Sequence, residues 1–252
     1  MNKIVLISGA TAGIGEALAW KFAKNNYNLI LTGRRSERLK KIKAELSAKF
    51  SVEILTLNFD IRELKEVEKA VKSIPENWQK IDVLINNAGL AVGVTPIQDG
   101  IYDDWDRMID TNIKGLLYLS RNIIPFLKAR QKGQIINIGS IAGKQVYPNG
   151  NVYCGTKAAV QSITEGMRID LVKYGIKVTQ IAPGAVETEF SIVRLGGDTE
   201  AAKNVYNGYK PLTAKDIANI AYYTTTLPEH VNINDILVTP TAQANAYVYD
   251  KK

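Results

Sequence analysis

The chain has 252 residues, 46% hydrophobic and 23% charged, which suits one large soluble domain rather than two small ones. Its single cysteine, Cys154, excludes an internal disulfide, and its single histidine, His230, leaves a histidine-based metal site or a Ser-His-Asp triad without support. A net charge of +7 fits a mildly basic surface or the attraction of a polyanionic ligand.

The first predicted element is the apolar run Ile4-Val5-Leu6-Ile7, a buried strand at 4–7. It is far too short for a signal peptide or a membrane span, so the expected location is cytoplasmic. Gly9-Ala10-Thr11-Ala12-Gly13-Ile14-Gly15 follows and opens a helix at 13–25. Glycines let a backbone approach phosphate closely, and a helix N-terminus offers free N–H groups and a positive dipole end. Gly-x3-Gly-x-Gly serves either a tight strand-to-helix turn or a dinucleotide pyrophosphate. Its place after the first strand of a βαβ series points to the dinucleotide, with Gly9, Thr11, Gly13, Ile14 and Gly15 as candidate contacts.

The second strand, 28–32, ends in Thr32-Gly33-Arg34-Arg35. That is about twenty residues past the glycine turn, where a ribose-reading residue is expected. An acidic residue there would accept a hydrogen bond from the 2′-hydroxyl of NAD. Arg34 and Arg35 instead suit the 2′-phosphate of NADP, unless they are merely exposed surface arginines. In the next helix, 37–49, Lys40, Lys41 and Lys43 cluster, but Glu37 and Glu45 flank them. This reads as a solvated helix face, with no nucleic-acid-reading motif.

A third strand at 52–57 runs into Asn58-Phe59-Asp60-Ile61, where Asp60 faces two roles. It can accept from the adenine amino group or cap the helix at 64–74. A fourth strand, 83–86, closes in Asn86-Asn87-Ala88-Gly89. This is either a simple turn or a place where small residues admit the cofactor ribose and side-chain amides pin nearby backbone. The long helix at 102–130 contains Asn112, and an interior asparagine competes for backbone groups and marks local irregularity. A strand at 134–138 leads to Ser140.

The helix at 152–174 begins with Tyr153 and Lys157, which share a face at i and i+4. A cation beside a phenol favours the phenolate, which can then exchange a proton with an alcohol or carbonyl. Cys154 points about 100° away from Tyr153 and reads as packing. A strand at 177–181 and Pro183-Gly184 precede an irregular stretch, 188–211, expected to be a mobile loop with short helical pieces over the site. A helix at 214–225 and a strand at 236–238 complete the series. Continuous aliphatic strands alternating with helices predict one α/β domain, a doubly wound parallel sheet with helices on both faces.

The ordered set Gly9/Gly13/Gly15, Asn86-Asn87-Ala88-Gly89, Asn112, Ser140, Tyr153, Lys157 and Pro183-Gly184 closely resembles the short-chain dehydrogenase/reductase family over nearly the whole chain. One departure is Ser8, where that family usually has Thr; a hydroxyl is kept. A narrower resemblance links Thr32-Gly33-Arg34-Arg35, Gly150-Asn151-Val152-Tyr153, Glu189-Phe190-Ser191-Ile192-Val193-Arg194 and the segment from Leu227 to Asn234 to the NADP-dependent 3-hydroxy acid dehydrogenases. That group includes enzymes acting on serine and L-allo-threonine.

The resemblance implies a single-domain Rossmann-like fold. Its cofactor-binding part is roughly 1–140 and its catalytic and substrate part roughly 141–252. It also implies the tetrad Asn112, Ser140, Tyr153 and Lys157. In this scheme Tyr153 is the general acid/base, its pKa lowered by Lys157 and the nicotinamide of NADP⁺. Ser140 bonds the substrate oxygen, and Asn112 holds a water that relays protons from Lys157. Pro183 and Gly184 shape the nicotinamide pocket, and Val186 and Thr188 contact the carboxamide. Arg194 is the candidate for a substrate carboxylate, or else an exposed loop arginine.

The expected activity is NADP-dependent oxidation of a 3-hydroxy acid to its 3-oxo acid, or the reverse. The alternatives are a broad carbonyl reductase and a non-catalytic NADP-binding protein. The expected partners are a small-molecule substrate and further copies of the chain, a tetramer ahead of a dimer, with neither nucleic acid nor membrane.

Overall fold

Four aliphatic residues in a row, with no polar residue among them, must be covered on two sides. β1 (Ile4–Ile7) is buried end to end, with Val5 and Ile7 in one core and Ile4 and Leu6 in the other. The same two-sided division holds in β2 (Asn28–Gly33), β4 (Ile81–Asn86), β5 (Gly133–Ile138) and β6 (Ile176–Pro183). β3 (Ile54–Asn58) and β9 (Asp235–Val238) are the less covered edges. This computed structural model describes residues 2–252 and forms a seven-stranded parallel sheet in the order β3-β2-β1-β4-β5-β6-β9.

One face is covered by α1 (Gly13–Lys24), α2 (Ser36–Lys49) and α9 (Ala214–Thr226). The other is covered by α3 (Leu64–Lys72), α5 (Leu116–Arg130) and α6 (Asn151–Leu171). The crossover from β1 therefore leaves by one face and that from β4 by the other, which opens a crevice between their carboxyl ends. The expected doubly wound α/β fold is present. Among the described residues no helix is long and apolar enough to cross a membrane.

One expectation needs correction. The single helix expected at 102–130 is broken into α4 (Tyr102–Ile109), a π-turn at Asp110–Gly115, and α5. The wide turn surrounds Asn112, whose amide bonds groups outside the helix. The stretch at 188–211 carries the short helical pieces expected of it. It contains α7 (Phe190–Arg194) and α8 (Thr199–Asn204), and β7 (Val186–Glu187) pairs beside it with β8 (Leu212–Thr213). Asp198 caps α8 by accepting from Glu200 N at 3.0 Å and Ala201 N at 2.9 Å. The Tyr206 hydroxyl bonds Val186 O at 2.8 Å and Ser191 Oγ at 2.6 Å, tying the segment to β7.

Phe22 shows what holds a helix layer to its neighbour. It is fully buried on α1 and meets Tyr27 at 5.0 Å and Tyr222 of α9 at 5.7 Å, both edge to face. Phe22→Ala should lower unfolding free energy by about 3–5 kcal/mol, read as a lower urea midpoint at unchanged slope. A loss below about 1 kcal/mol would contradict this packing.

Candidate active site

The crevice is held open by a reciprocal stitch between the ends of β1 and β4. Ser8 Oγ accepts from Asn87 N and Ala88 N, each at 3.0 Å, and donates to Ile85 O at 3.4 Å. Asn87 Nδ2 donates back to Ser8 O at 2.9 Å and Gly9 O at 3.2 Å. The hydroxyl retained at Ser8 and the amide at Asn87 thus fix the glycine turn against the fourth strand. Gly9 has φ +65°, and a Cβ there would come within 2.9 Å of Ala88 Cα, so only glycine fits. Gly15 does not line the cleft. A methyl there would collide with Gly9 O and the Asn87 amide, so its role is close packing behind the turn.

The cleft has a volume of about 410 Å³. Gly9, Thr11, Gly13 and Ile14 form its floor at the N-terminus of α1, where Ala12 supplies no side-chain cap. Those first-turn N–H groups therefore remain available to an anion. Arg34, Arg35 and Asp60 also line the cleft, as do Asn87, Ala88 and Gly89 after β4 and Pro183, Gly184, Val186 and Thr188 after β6. Thr111, 8% exposed, lines the cleft with its hydroxyl unpartnered. An uncapped helix end, a cluster of guanidiniums and a buried orphan hydroxyl together fit a phosphorylated dinucleotide.

Asp60 is firmly engaged. Arg62 grips its carboxylate at 2.7 and 3.1 Å, and Arg34 stands at 3.5 Å. Although burial opposes it, these guanidiniums hold the carboxyl below its ordinary pKa. Arg35 Nε donates to Thr11 Oγ1 at 3.0 Å.

Ser140, Tyr153 and Lys157 meet on the cleft wall. Ser140 follows β5 by two residues, has extended backbone and accepts from Ala142 N at 3.1 Å. Lys157 is buried and donates to Ile138 O at 3.0 Å, with its ammonium 6.0 Å from the Tyr153 ring centroid. Burial pushes this lysine down to about 8. Tyr153 is half-buried, but the protein around its phenol pushes it up to about 12. The Ser140 hydroxyl and the Arg194 charge pull the other way without overcoming that. The expected lowering of the phenol joins Lys157 to the nicotinamide of NADP⁺, and the protein's own groups alone do not supply it. Desolvation dominates, and it opposes the ammonium as well.

Asn112 lies behind this wall. Its Nδ2 donates to Leu90 O at 2.8 Å and Thr156 Oγ1 at 3.0 Å, and its Oδ1 accepts from Leu90 N at 2.8 Å. A Cβ on Gly89 would lie 3.2 Å from that Oδ1 and 3.5 Å from Lys157 Nζ, which shows how closely the three approach. The amide ties the loop after β4 to α6, with both N–H donors engaged and one acceptor position of Oδ1 left over.

Arg194 ends α7. It shares a small side pocket with Tyr153, and its guanidinium lies 5.3 Å from the Tyr147 ring centroid. It forms no ion pair with a carboxylate among the described residues; Asp104 in the same pocket pairs with Arg107 at 3.3 Å. Cys154 is buried away from the cleft, as its helical direction suggests.

Sequence reading missed several residues. Arg38 follows Arg35 by almost one helical turn, a spacing that could have signalled it. Phe190 packs 5.8 Å from the Tyr153 ring. Gln243 accepts from Ala185 N at 2.8 Å and so fixes the turn after Pro183-Gly184. Nothing local in the sequence signals a contact across 58 positions.

A family description, short chain dehydrogenase, matches residues 3–194. The chain is 46% identical to sulfoacetaldehyde reductase 2 of Chromohalobacter salexigens, over the full length of both. It is 46% identical to an NADP-dependent 3-hydroxy acid dehydrogenase of Salmonella typhi, covering 96% of this chain and 97% of that one. It superposes on the closed form of serine dehydrogenase complexed with NADP⁺ with a TM-score of 0.92 and 42% identity, over 99% of each chain.

The depressed pKa of Lys157 has a consequence for stability. Unfolded, the side chain holds its proton to about 10.4; folded, it releases it near 8. Between these values the unfolded state binds more protons, so this group's contribution rises with pH and is complete only above the unfolded pKa. Urea midpoints of the ligand-free protein should therefore gain more between pH 8 and 10 than those of Lys157→Met. Equal slopes in the two proteins would contradict the burial of this ammonium.

Proposed function

The chain belongs to the short-chain dehydrogenase family, and we propose that it oxidises 3-hydroxy acids to 3-oxo acids with NADP⁺, or runs the reverse with NADPH. Serine, L-allo-threonine and 3-hydroxypropionate represent the substrate class. One observation carries the choice of an acid: Arg194, without a carboxylate partner among the described residues, stands in the pocket it shares with Tyr153. A 3-hydroxy acid has one carbon between its reacting carbon and the carboxylate carbon, so a cation near the phenol can hold the acid while the alcohol faces Tyr153. The Chromohalobacter relative supports a second reading. A sulfonate at the same remove from the reacting carbon would meet Arg194 in the same way.

Gly9, Thr11, Gly13, Ile14 and the N-terminus of α1 would hold the pyrophosphate. Arg34 and Arg35 would take the 2′-phosphate, with Asp60 beside the adenine. Asn87, Ala88 and Gly89 would border the ribose, and Pro183, Gly184, Val186 and Thr188 the nicotinamide. In this division the first 140 residues supply most of the cofactor grip and Ser140, and the remainder supplies Tyr153 and Lys157. The cofactor, when bound, gives or accepts the hydride and, oxidised, adds positive charge.

The rest falls to the chain's own groups. Tyr153 Oη carries the proton exchanged with the substrate oxygen, and Ser140 Oγ donates to that oxygen as charge develops on it. A phenol kept protonated by burial suits reduction directly. Oxidation requires more positive charge at the site than Lys157 provides alone. Asn112 keeps the loop after β4 and α6 in register, a positioning role.

We also assign a homo-oligomer, a tetramer ahead of a dimer. Exposed apolar side chains on α5 and α6, Leu117 and Ile169, support self-association. A cytoplasmic location completes this reading.

Tyr153→Phe should bind NADP⁺ normally yet lose about 100-fold or more in kcat/KM; near-normal turnover would remove the phenol from the mechanism. Arg194→Met should lower kcat/KM for 3-hydroxypropionate by about 10- to 100-fold, mainly through KM, and leave a neutral alcohol of similar size unaffected. Equal losses on both substrates would count against a carboxylate role.

A further inference from the structure

Among the described residues that line the cofactor cleft, Glu189 is the one carboxylate the chemistry above does not use. It occupies the N-cap position of α7 without capping the helix. Its two oxygens are divided between guanidiniums from a distant part of the chain. Oε2 accepts from Arg35 Nη1 at 3.0 Å, and Oε1 from Arg38 Nη1 at 2.6 Å. Both arginines also touch the glycine turn: Arg35 Nε bonds Thr11 Oγ1 at 3.0 Å and Arg38 Nη1 reaches Thr11 O at 3.4 Å. An anion is thus already bound by two cations on the rim where the 2′-phosphate of NADP is expected. All three side chains are nearly half exposed, at 44–46%, so a ligand can reach the pair and compete for it.

We propose that Glu189 is an internal competitor for the cofactor's 2′-phosphate and thereby sets how strongly the protein prefers NADP to NAD. The inference rests on the NADP reading above and adds Arg38 to the phosphate's partners. A phosphate dianion and a carboxylate cannot share the same two guanidiniums without like-charge repulsion, so the phosphate takes over bonds that Glu189 gives up. NAD carries a neutral 2′-hydroxyl, makes no such demand and leaves the ion pairs in place. Each NADP bound therefore breaks two ion pairs that NAD does not break. Because these pairs are exposed and screened, the effect is modest, and it appears in the ratio of affinities rather than in the fold.

The opposite assignment makes Glu189 a clamp that aligns Arg35 and Arg38 for the phosphate, and the two differ in sign. The test measures Kd for NADP⁺ and for NAD⁺ by calorimetry on the full chain, with no turnover. In Glu189→Gln, Kd for NADP⁺ should fall by about two- to fivefold, the size of one exposed ion pair, while NAD⁺ binds no more tightly. Arg38→Met should weaken NADP⁺ alone, and in that background Glu189→Gln should gain less. An unchanged or raised Kd for NADP⁺ in Glu189→Gln overturns the proposal. So does equal tightening of both nucleotides, or an equal gain with and without Arg38. The NAD⁺ arm also shows that each variant has folded. If the unaltered protein binds NAD⁺ as tightly as NADP⁺, the NADP reading falls and this inference with it. If NADP⁺ is preferred but Glu189→Gln does not tighten it, this inference alone fails.

Discussion

Ser8 and Asn87 bond to each other's backbone across the ends of β1 and β4, two neighbouring strands whose crossovers leave by opposite faces. That divergence creates the crevice, and the stitch sets its shape. The glycines follow from it. Gly9 lies too near Ala88, and Gly15 too near the Gly9 carbonyl, for either to carry a side chain. The cofactor floor therefore owes its geometry to backbone crowding, and the α1 N-terminus, left without a side-chain cap, supplies the polar groups.

A second constraint acts on the reacting groups. The fold sets a phenol and an ammonium into one wall, and burial disfavours the charged form of each, raising Tyr153 and lowering Lys157. Within the protein's own groups, burial thus favours the phenol of Tyr153 over its phenolate. Positive charge must reach that wall for the base form to appear, and Arg194 already contributes part of it. On the proposed reading substrate recognition and proton transfer are linked, since the cation proposed to hold the acid also favours the phenolate.

Much of this was legible in the sequence because its signals are local. Four aliphatic residues report a buried strand, Gly-x3-Gly-x-Gly reports the turn, and Tyr153 and Lys157 report a shared helix face. Asn112, awkward inside a helix, gave away an irregularity whose form, a π-turn, only the packing decides. What escaped is non-local. Glu189 meets Arg35 and Arg38 across more than 150 positions, and Gln243 reaches Ala185 across 58. The balance of charge and burial at Tyr153 was also beyond reach. Sequence displays the nearby lysine but not the number of protein atoms that displace water from the phenol.

The central proposal is that the chain passes hydride between NADP and a small acid whose anionic group is held near Tyr153. Absorbance of reduced nicotinamide tests it most directly, with NADP⁺ and NAD⁺ each offered serine, 3-hydroxypropionate and size-matched neutral alcohols. The account predicts reduction of NADP⁺ by the hydroxy acids well ahead of every other pairing. Neutral alcohols reacting as fast as the acids, or NAD⁺ serving as well as NADP⁺, would contradict it.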